Sequence, residues 1–338
     1  MNAGSALAVA MGLAFAFTNG FHDAANAIAT LVATRVARPG PAIVLAATFN
    51  MLGPLLLGSA VADAVAGIVQ VQPSDAVAVI GAGLTAAVAW NLFTWWRGLP
   101  SSSSHALVGG LVGAAVVDAR SLSAVNWGHF AGFKVNGVIG MLVALALSPV
   151  LGFAAAMLIE RALLRGVRRG TVRLRRPVRA SQWVTSSWLA FSHGSNDAQK
   201  TVGVIAAVLV ANGTIASASA VPRTAVMISA AFVTLGTALG GWRIVRTIGR
   251  RIFRLRPLDG LVSQASSAAV IMGGSFIGAP TSTTQVVSSS VVGIGEGRRR
   301  GRHIGWETVR QILIAWVTTL PATALIAALF LPLWRWIT

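Results

Sequence analysis

The 338-residue sequence contains no cysteine and no tyrosine, only nine acidic residues, and two lysines against twenty-five arginines. Without cysteine there is no disulfide framework, no thiolate nucleophile and no cysteine metal site. Charged residues make up only 11% of the chain and hydrophobic residues 55%, with a mean hydropathy of +0.72. A water-soluble domain of that make-up would expose large apolar patches. Apolar runs of roughly 20 residues, the helical length that crosses a hydrocarbon core of about 30 Å, recur along nearly the whole chain and leave no room for a soluble domain. The first run is not read as a cleaved leader, because Met1 to Ser5 carries no positive side chain and the apolar stretch continues past Phe21.

The net charge of +18 does not indicate nucleic acid. The arginines stand in blocks between apolar segments, at Arg161 to Arg179, Arg243 to Arg256 and Arg298 to Arg302, as topology signals and lipid-headgroup contacts do. Apolar segments fall near 4–32, 40–61, 76–97, 101–118 and 129–160, then near 183–212, 221–242, 262–279, 280–296 and 307–331.

Two stretches of the first half return in the second. Asn19-Gly20-Phe21-His22-Asp23-Ala24-Ala25-Asn26 aligns with His193-Gly194-Ser195-Asn196-Asp197-Ala198-Gln199-Lys200, and Pro100-Ser101-Ser102-Ser103-Ser104-His105 with Pro280-Thr281-Ser282-Thr283-Thr284-Gln285. Two matches at nearly equal offsets, 174 and 180 residues, indicate duplication. The division expected is a first membrane repeat at 1–160, an Arg-rich linker at 161–180 and a second repeat at 181–338. Five segments per half is an odd number, so the second repeat enters the membrane from the opposite side. All three arginine blocks then share one face with Arg35, Arg38 and Arg97; that face is expected to be cytoplasmic, with both termini outside. Arg120 falls on the other face, and Lys134 lies inside a proposed span. Trp95, Trp96, Trp127, Trp183, Trp242, Trp306, Trp334 and Trp336 cluster near segment ends, as headgroup-level rings do.

Of the acidic residues only Asp23 and Asp197 lie deep; Asp63, Asp75, Asp118, Glu160, Asp259, Glu296 and Glu307 fall at segment ends or in loops. A carboxylate at mid-membrane costs on the order of 3 kcal/mol or more unless compensated, so its appearance at both equivalent positions calls for a cation, a proton or Lys200. Gly20 and Gly194 suit an unwound stretch whose freed carbonyls, with Asn26 and Asn196, coordinate Na⁺. In the second half Lys200 replaces that Asn and neutralises Asp197 without a metal, which favours proton coupling there.

Pro100 and Pro280 each open a run of hydroxyls that leads into an apolar helix. Such runs are often mere packing faces, but the proline-led duplication points to helix starts where hydroxyls and free N–H groups hold an anion. The expected anion site is Ser101, Ser102, Ser103, Ser104, Thr281, Ser282, Thr283 and Thr284, brought together near the midplane. Donors alone do not separate sulfate from phosphate, whereas Asp23 and Asp197 accept a P–OH proton. His22 and His105 are candidate proton carriers. A nucleophilic triad from Ser104, His105 and Asp23 has nothing to fix its geometry, and the chain is not read as an enzyme.

These stretches, with Leu99 before Pro100 and Ser192 before His193, resemble the PiT family of inorganic phosphate transporters over almost the full chain. The resemblance implies an all-α polytopic membrane protein of two inverted-topology repeats, with broken helices or helical hairpins meeting at mid-membrane. It implies symport of phosphate, or in some bacterial members a metal–phosphate complex, across the plasma membrane with H⁺ or Na⁺ by alternating access. No cofactor is expected; lipid is the expected surround, and a homodimer is left open. If Na⁺ couples, Asp23, Asn26 and Asp197 are the expected ligands. The Lys200 form looks like a bacterial, proton-coupled branch, while Gln285 departs from the His usual after the second hydroxyl run. The alternatives are another oxyanion such as sulfate, or a cation exchanger using the same Asp pair.

Overall fold

The computed structural model describes residues 2–57, 60–128, 130–131, 134–135, 137–166 and 175–338. Each expected apolar segment is a helix. In the first half these are α1 (Ala3–Ala33), α2 (Pro39–Leu56) with the short α3 (Ala60–Ala66), α4 (Pro73–Arg97), α5 (Ser103–Ala119) and α6 (Gly137–Gly166). The second half has α7 (Arg175–Ala211), α8 (Arg223–Leu239) followed by α9 (Trp242–Arg246) and a wider turn at Thr247–Ile252, α10 (Pro257–Phe276), α11 (Thr283–Gly297) and α12 (Trp306–Ile337). A two-residue antiparallel ribbon, β1 (Phe130–Ala131) with β2 (Lys134–Val135), precedes α6. Lys134 therefore lies outside the span assigned to it. Of the expected linker, 161–166 continue α6 and 175–180 open α7; 167–174 lie outside the described residues.

Proline or a polar cap starts most of these helices. Pro39, Pro73 and Pro257 stand in the first turn, where their missing N–H costs nothing. Asn2 accepts from the Ser5 amide at 2.8 Å.

Five helices, α1, α2, α4, α6 and α12, are long and apolar enough to cross a membrane alone; α8 with 242–252 passes only as a pair bent by 58°. The other segments fall short for identifiable reasons. α5 and α11 have 17 and 15 residues, about 26 and 22 Å at 1.5 Å per residue, less than the hydrocarbon thickness. α7 carries the polar stretch around Asp197, and α10 carries Ser263, Gln264, Ser266 and Ser267, all buried. These side chains face protein: Ser263 and Ser290 hydroxyls meet at 2.7 Å, and the Gln264 amide donates to Thr30 at 2.9 Å.

Packing between the halves is reciprocal: α1 lies on α8 as α2 lies on α7, and α5 on α12 as α11 on α6; within each half α4 lies on α1 as α10 on α7. The motif glycines sit at two of these crossings. A Cβ on Gly20 would stand 2.0 Å from the Val233 carbonyl oxygen, and one on Gly194 2.2 Å from that of Asn50. α1 and α7 run unbroken through both glycines, so the unwound stretches expected there are absent. The glycines serve close helix contact, which any side chain would block.

The two ends of the molecule differ in charge. At one end Arg179 donates to the Arg35 carbonyl at 2.9 Å, Gln182 to that of Pro257 at 2.6 Å, and Arg298 meets Glu160 at 2.9 Å and Asp259. At the other end Thr338 lies against Gly4, and Arg335 pairs with Asp118 at 2.8 Å. Thus α1 runs from the terminal end to the arginine end and α7 runs back. Glu160 and Asp259 do stand near helix ends but are fully buried, unlike solvated loop acids. Trp334, expected at headgroup level, is also buried, with its indole N–H on Thr85 at 3.0 Å.

Candidate functional site

α4–α5 and α10–α11 are helical hairpins. Each turn follows a glycine of positive φ, Gly98 at 67° and Gly278 at 71°, a backbone shape that costs glycine little. Pro100 and Pro280 then lead into the hydroxyl runs. The turns are buried, with Ser101 to Ser104 and Thr281 to Thr284 at most 5% exposed. They meet: the Ser282 hydroxyl donates to Ser102 Oγ at 2.8 Å, and Ser104 to the Thr281 carbonyl at 3.3 Å. The starts of α5 and α11, one from each half, therefore come together inside the molecule.

Asp23 lies between them. Its carboxylate accepts from Thr284 at 2.8 Å, Ser103 at 3.2 Å and Thr283 at 3.4 Å, so both tips donate to it. His22 Nδ1 is 2.5 Å from Asp23 Oδ1, and His22 Nε2 reaches Thr94 at 3.2 Å and Ser101 at 3.3 Å. Thr283 also reaches Asp197 Oδ2, at 3.5 Å. Lys200 donates to Asp197 Oδ1 at 2.6 Å and to the Thr281 carbonyl at 3.0 Å, tying α7 to the second tip. Buried carboxylates without such partners would cost several kcal/mol each; here Asp23 is met by hydroxyls and imidazole, and Asp197 by an ammonium, a second imidazole and a hydroxyl.

The amides hold the tips from the side. Asn26 donates to Thr284 at 3.0 Å and to Thr283 at 3.3 Å, and Asn196 to Ser275 at 3.1 Å. Among the described residues Asn26 Oδ1, Asn196 Oδ1, Ser195 Oγ and Thr281 Oγ1 are buried without a hydrogen-bond partner. Unpaired buried oxygens also occur elsewhere, as at Asn19, Asn91 and Ser229, but Asn26 Oδ1 belongs to the side chain that donates to Thr284 and is open to a polar guest at the tips. His105 turns back onto Ser102 Oγ at 2.7 Å, within its own tip.

The sequence reading missed His193. Its Nε2 is 3.0 Å from Asp197 Oδ2, and its Nδ1 is 3.1 Å from Asn50 Oδ1. Ligand atoms of Asp23, His193 and Asp197 all lie within 4.8 Å of one another, a spacing that a cation could bridge. The signal was present, since positions 193 and 197 are one helical turn apart and share a face.

Residues 19–176 and 167–327 match the family model described as the phosphate transporter family. A Bacillus subtilis protein described as a probable low-affinity inorganic phosphate transporter is 38% identical, over 96% of this chain and 95% of its own. A Rhizobium meliloti protein of the same description is 40% identical, over 95% and 93%. A solved structure titled as a sodium-dependent phosphate transporter aligns over the whole of both chains with a TM-score of 0.85 at 23% identity, which speaks for a shared fold.

Proposed function

The chain belongs to the phosphate transporter family, and on that premise we propose that it carries inorganic phosphate across the plasma membrane by symport, phosphate binding between the two hairpin tips. The observation that carries this reading is the meeting of two hydroxyl-bearing helix starts around Asp23. The tips supply donors and the positive ends of two helix dipoles. Asp23 supplies the acceptor that a protonated phosphate oxygen needs and that sulfate at neutral pH cannot use. Ser101 to Ser104 and Thr281 to Thr284 are the proposed phosphate residues, with phosphate displacing the Ser102–Ser282 hydrogen bond.

The coupling ion is assigned to the two Asp motifs. Lys200 on Asp197 compensates that carboxylate without a metal, which supports a proton as the coupling ion. Asp23, Asn26, Asp197 and His193 would serve a transported Na⁺ instead, and the free Asn26 oxygen favours that second reading. Reciprocal packing and the opposite courses of α1 and α7 support two inverted repeats, 1–160 and 181–338, rocking about the site in alternating access. The arginine end is assigned to the cytoplasm and the termini to the outside.

Purified protein in proteoliposomes tests the proposal with labelled phosphate and with pH and Na⁺ gradients imposed separately. Uptake driven by an inward proton gradient and resistant to excess sulfate is expected. Equal competition by sulfate would overturn the role given to Asp23, and Na⁺-driven uptake alone would transfer coupling to the Asp–Asn–His set.

A further inference from the structure

At the arginine end, just beyond the close contact of Gly297 with Met157 and Glu160, the last turns of α6 and the residues that follow α11 form a crevice of about 270 Å³ lined by Arg161, Leu164, Arg165, Gly297, Arg298 and Arg299. Glu160 and Asp259, behind it, both turn to Arg298. Among the described residues no carboxylate pairs with Arg161, Arg165 or Arg299. Four guanidiniums against two carboxylates leave two positive charges at the mouth of a cavity with a leucine in its wall. A second cavity, about 370 Å³ and largely apolar, lies between α6, α11 and α12, where Val150, Phe153, Val292, Leu313 and Trp316 line it.

The two cavities share a face of α6. Val150 and Arg161 are eleven residues apart, three helical turns, so they point the same way at a separation of about 16 Å along the axis. That is close to half the hydrocarbon thickness, the depth from a headgroup to the middle of the bilayer. Neither lining includes a residue of the two hydroxyl runs, although Trp316 in the second also donates to the Pro100 carbonyl at 2.9 Å.

We propose that these cavities are two parts of one site for an anionic glycerophospholipid. Its phosphate sits among Arg161, Arg165 and Arg299, and an acyl chain lies in the groove below. Arginine suits the headgroup because its planar fork gives paired hydrogen bonds to phosphate oxygens. A zwitterionic lipid would bring its own cation against the same guanidiniums. The site lies beside Arg298, which joins α11 and α10 to α6, so an occupied site braces the base of the second hairpin. The inference rests on the membrane setting and not on what is transported.

Native mass spectrometry of the purified full chain, released from nanodiscs of mixed phosphatidylglycerol and phosphatidylcholine, reads lipid retention without any transport step. Wild type is expected to keep phosphatidylglycerol selectively. R165A/R299A should hold it roughly thirtyfold more weakly, R165K/R299K, which keeps the charges but loses the paired fork, should fall between that and wild type, and Val150→Trp should lower it by filling the groove while leaving the arginines in place. A melting temperature matching wild type confirms that each variant is folded. Equal retention of both lipids would overturn the proposal. So would displacement of the lipid by millimolar inorganic phosphate together with an unaffected V150W, which would make the crevice a free-anion site.

Discussion

Lys200 and Asn26 hold equivalent places in the two motifs, and the difference between them is one ammonium group within 2.6 Å of Asp197. Removing it while keeping the helix leaves a fully buried carboxylate with only His193 and Thr283 near it, a loss on the order of 3 kcal/mol or more unless a cation enters. K200N is therefore expected to abolish uptake driven by a pH gradient and to make any remaining uptake depend on external Na⁺; proton-driven uptake at the wild-type rate would refute the assignment of coupling to this pair. Asp23→Asn keeps the size but puts an amide donor where Thr284, Ser103 and Thr283 already donate. Phosphate uptake should fall at least about tenfold, and the preference for phosphate over sulfate should fall with it, because the lost group is the acceptor that tells them apart. Both carboxylates, both hydroxyl runs and Lys200 were legible in the sequence, since charge in an apolar helix and a repeated proline-led run stand out. His193 was not singled out, although its spacing from Asp197 was readable, because its other partner, Asn50, comes from a distant helix.

Each hairpin is latched at its base to the last helix of the other half, with the charges exchanged. Asp118 near the end of α5 meets Arg335 of α12, and Arg298 just past α11 meets Glu160 of α6; positions 118 and 298 are offset by the same 180 residues as the prolines. Burial sets the energies apart. The Asp118 side chain is 4% exposed but Arg335 is 52% exposed, so removing the carboxylate leaves a solvated guanidinium and costs about 1 kcal/mol. R298A would instead strand Glu160 and Asp259 together, both buried, at a cost of about 3 to 5 kcal/mol. Thermal unfolding in detergent should show D118N near wild type and R298A much less stable; similar melting temperatures would mean that the cluster is hydrated. The latches were invisible in the sequence because an acid near a helix end reads as solvated until the helix from the other half is placed on it. The glycines were visible but misread. Gly20→Ala and Gly194→Ala each press a methyl into backbone at 2.0 and 2.2 Å, so both should lower the yield of monodisperse protein rather than alter ion dependence. Full stability with changed Na⁺ dependence would restore the unwound-helix reading.

The charge difference between the two ends of the molecule is the ground for the proposed direction across the membrane. Helix boundaries came through the sequence to within a few residues for most segments, since apolar runs between arginine blocks are a strong signal; crossing length and apolarity in every segment did not, because α5, α7, α10 and α11 are short or polar where they are buried in protein and need less apolar surface than spans in lipid. Replacing two passes per half by a buried hairpin leaves the parity odd, so the direction argument is unchanged. The absence of cysteine makes the chain its own background for labelling. Ala3 and Thr338 are exposed at the terminal end and Arg300 at the arginine end. With the excess of arginine facing the cytoplasm, Ala3→Cys and Thr338→Cys should react with a membrane-impermeant maleimide in intact cells. R300C should react only after the membrane is opened. Reaction of R300C from outside, with the two terminal cysteines reacting only after the membrane is opened, would reverse the assigned orientation.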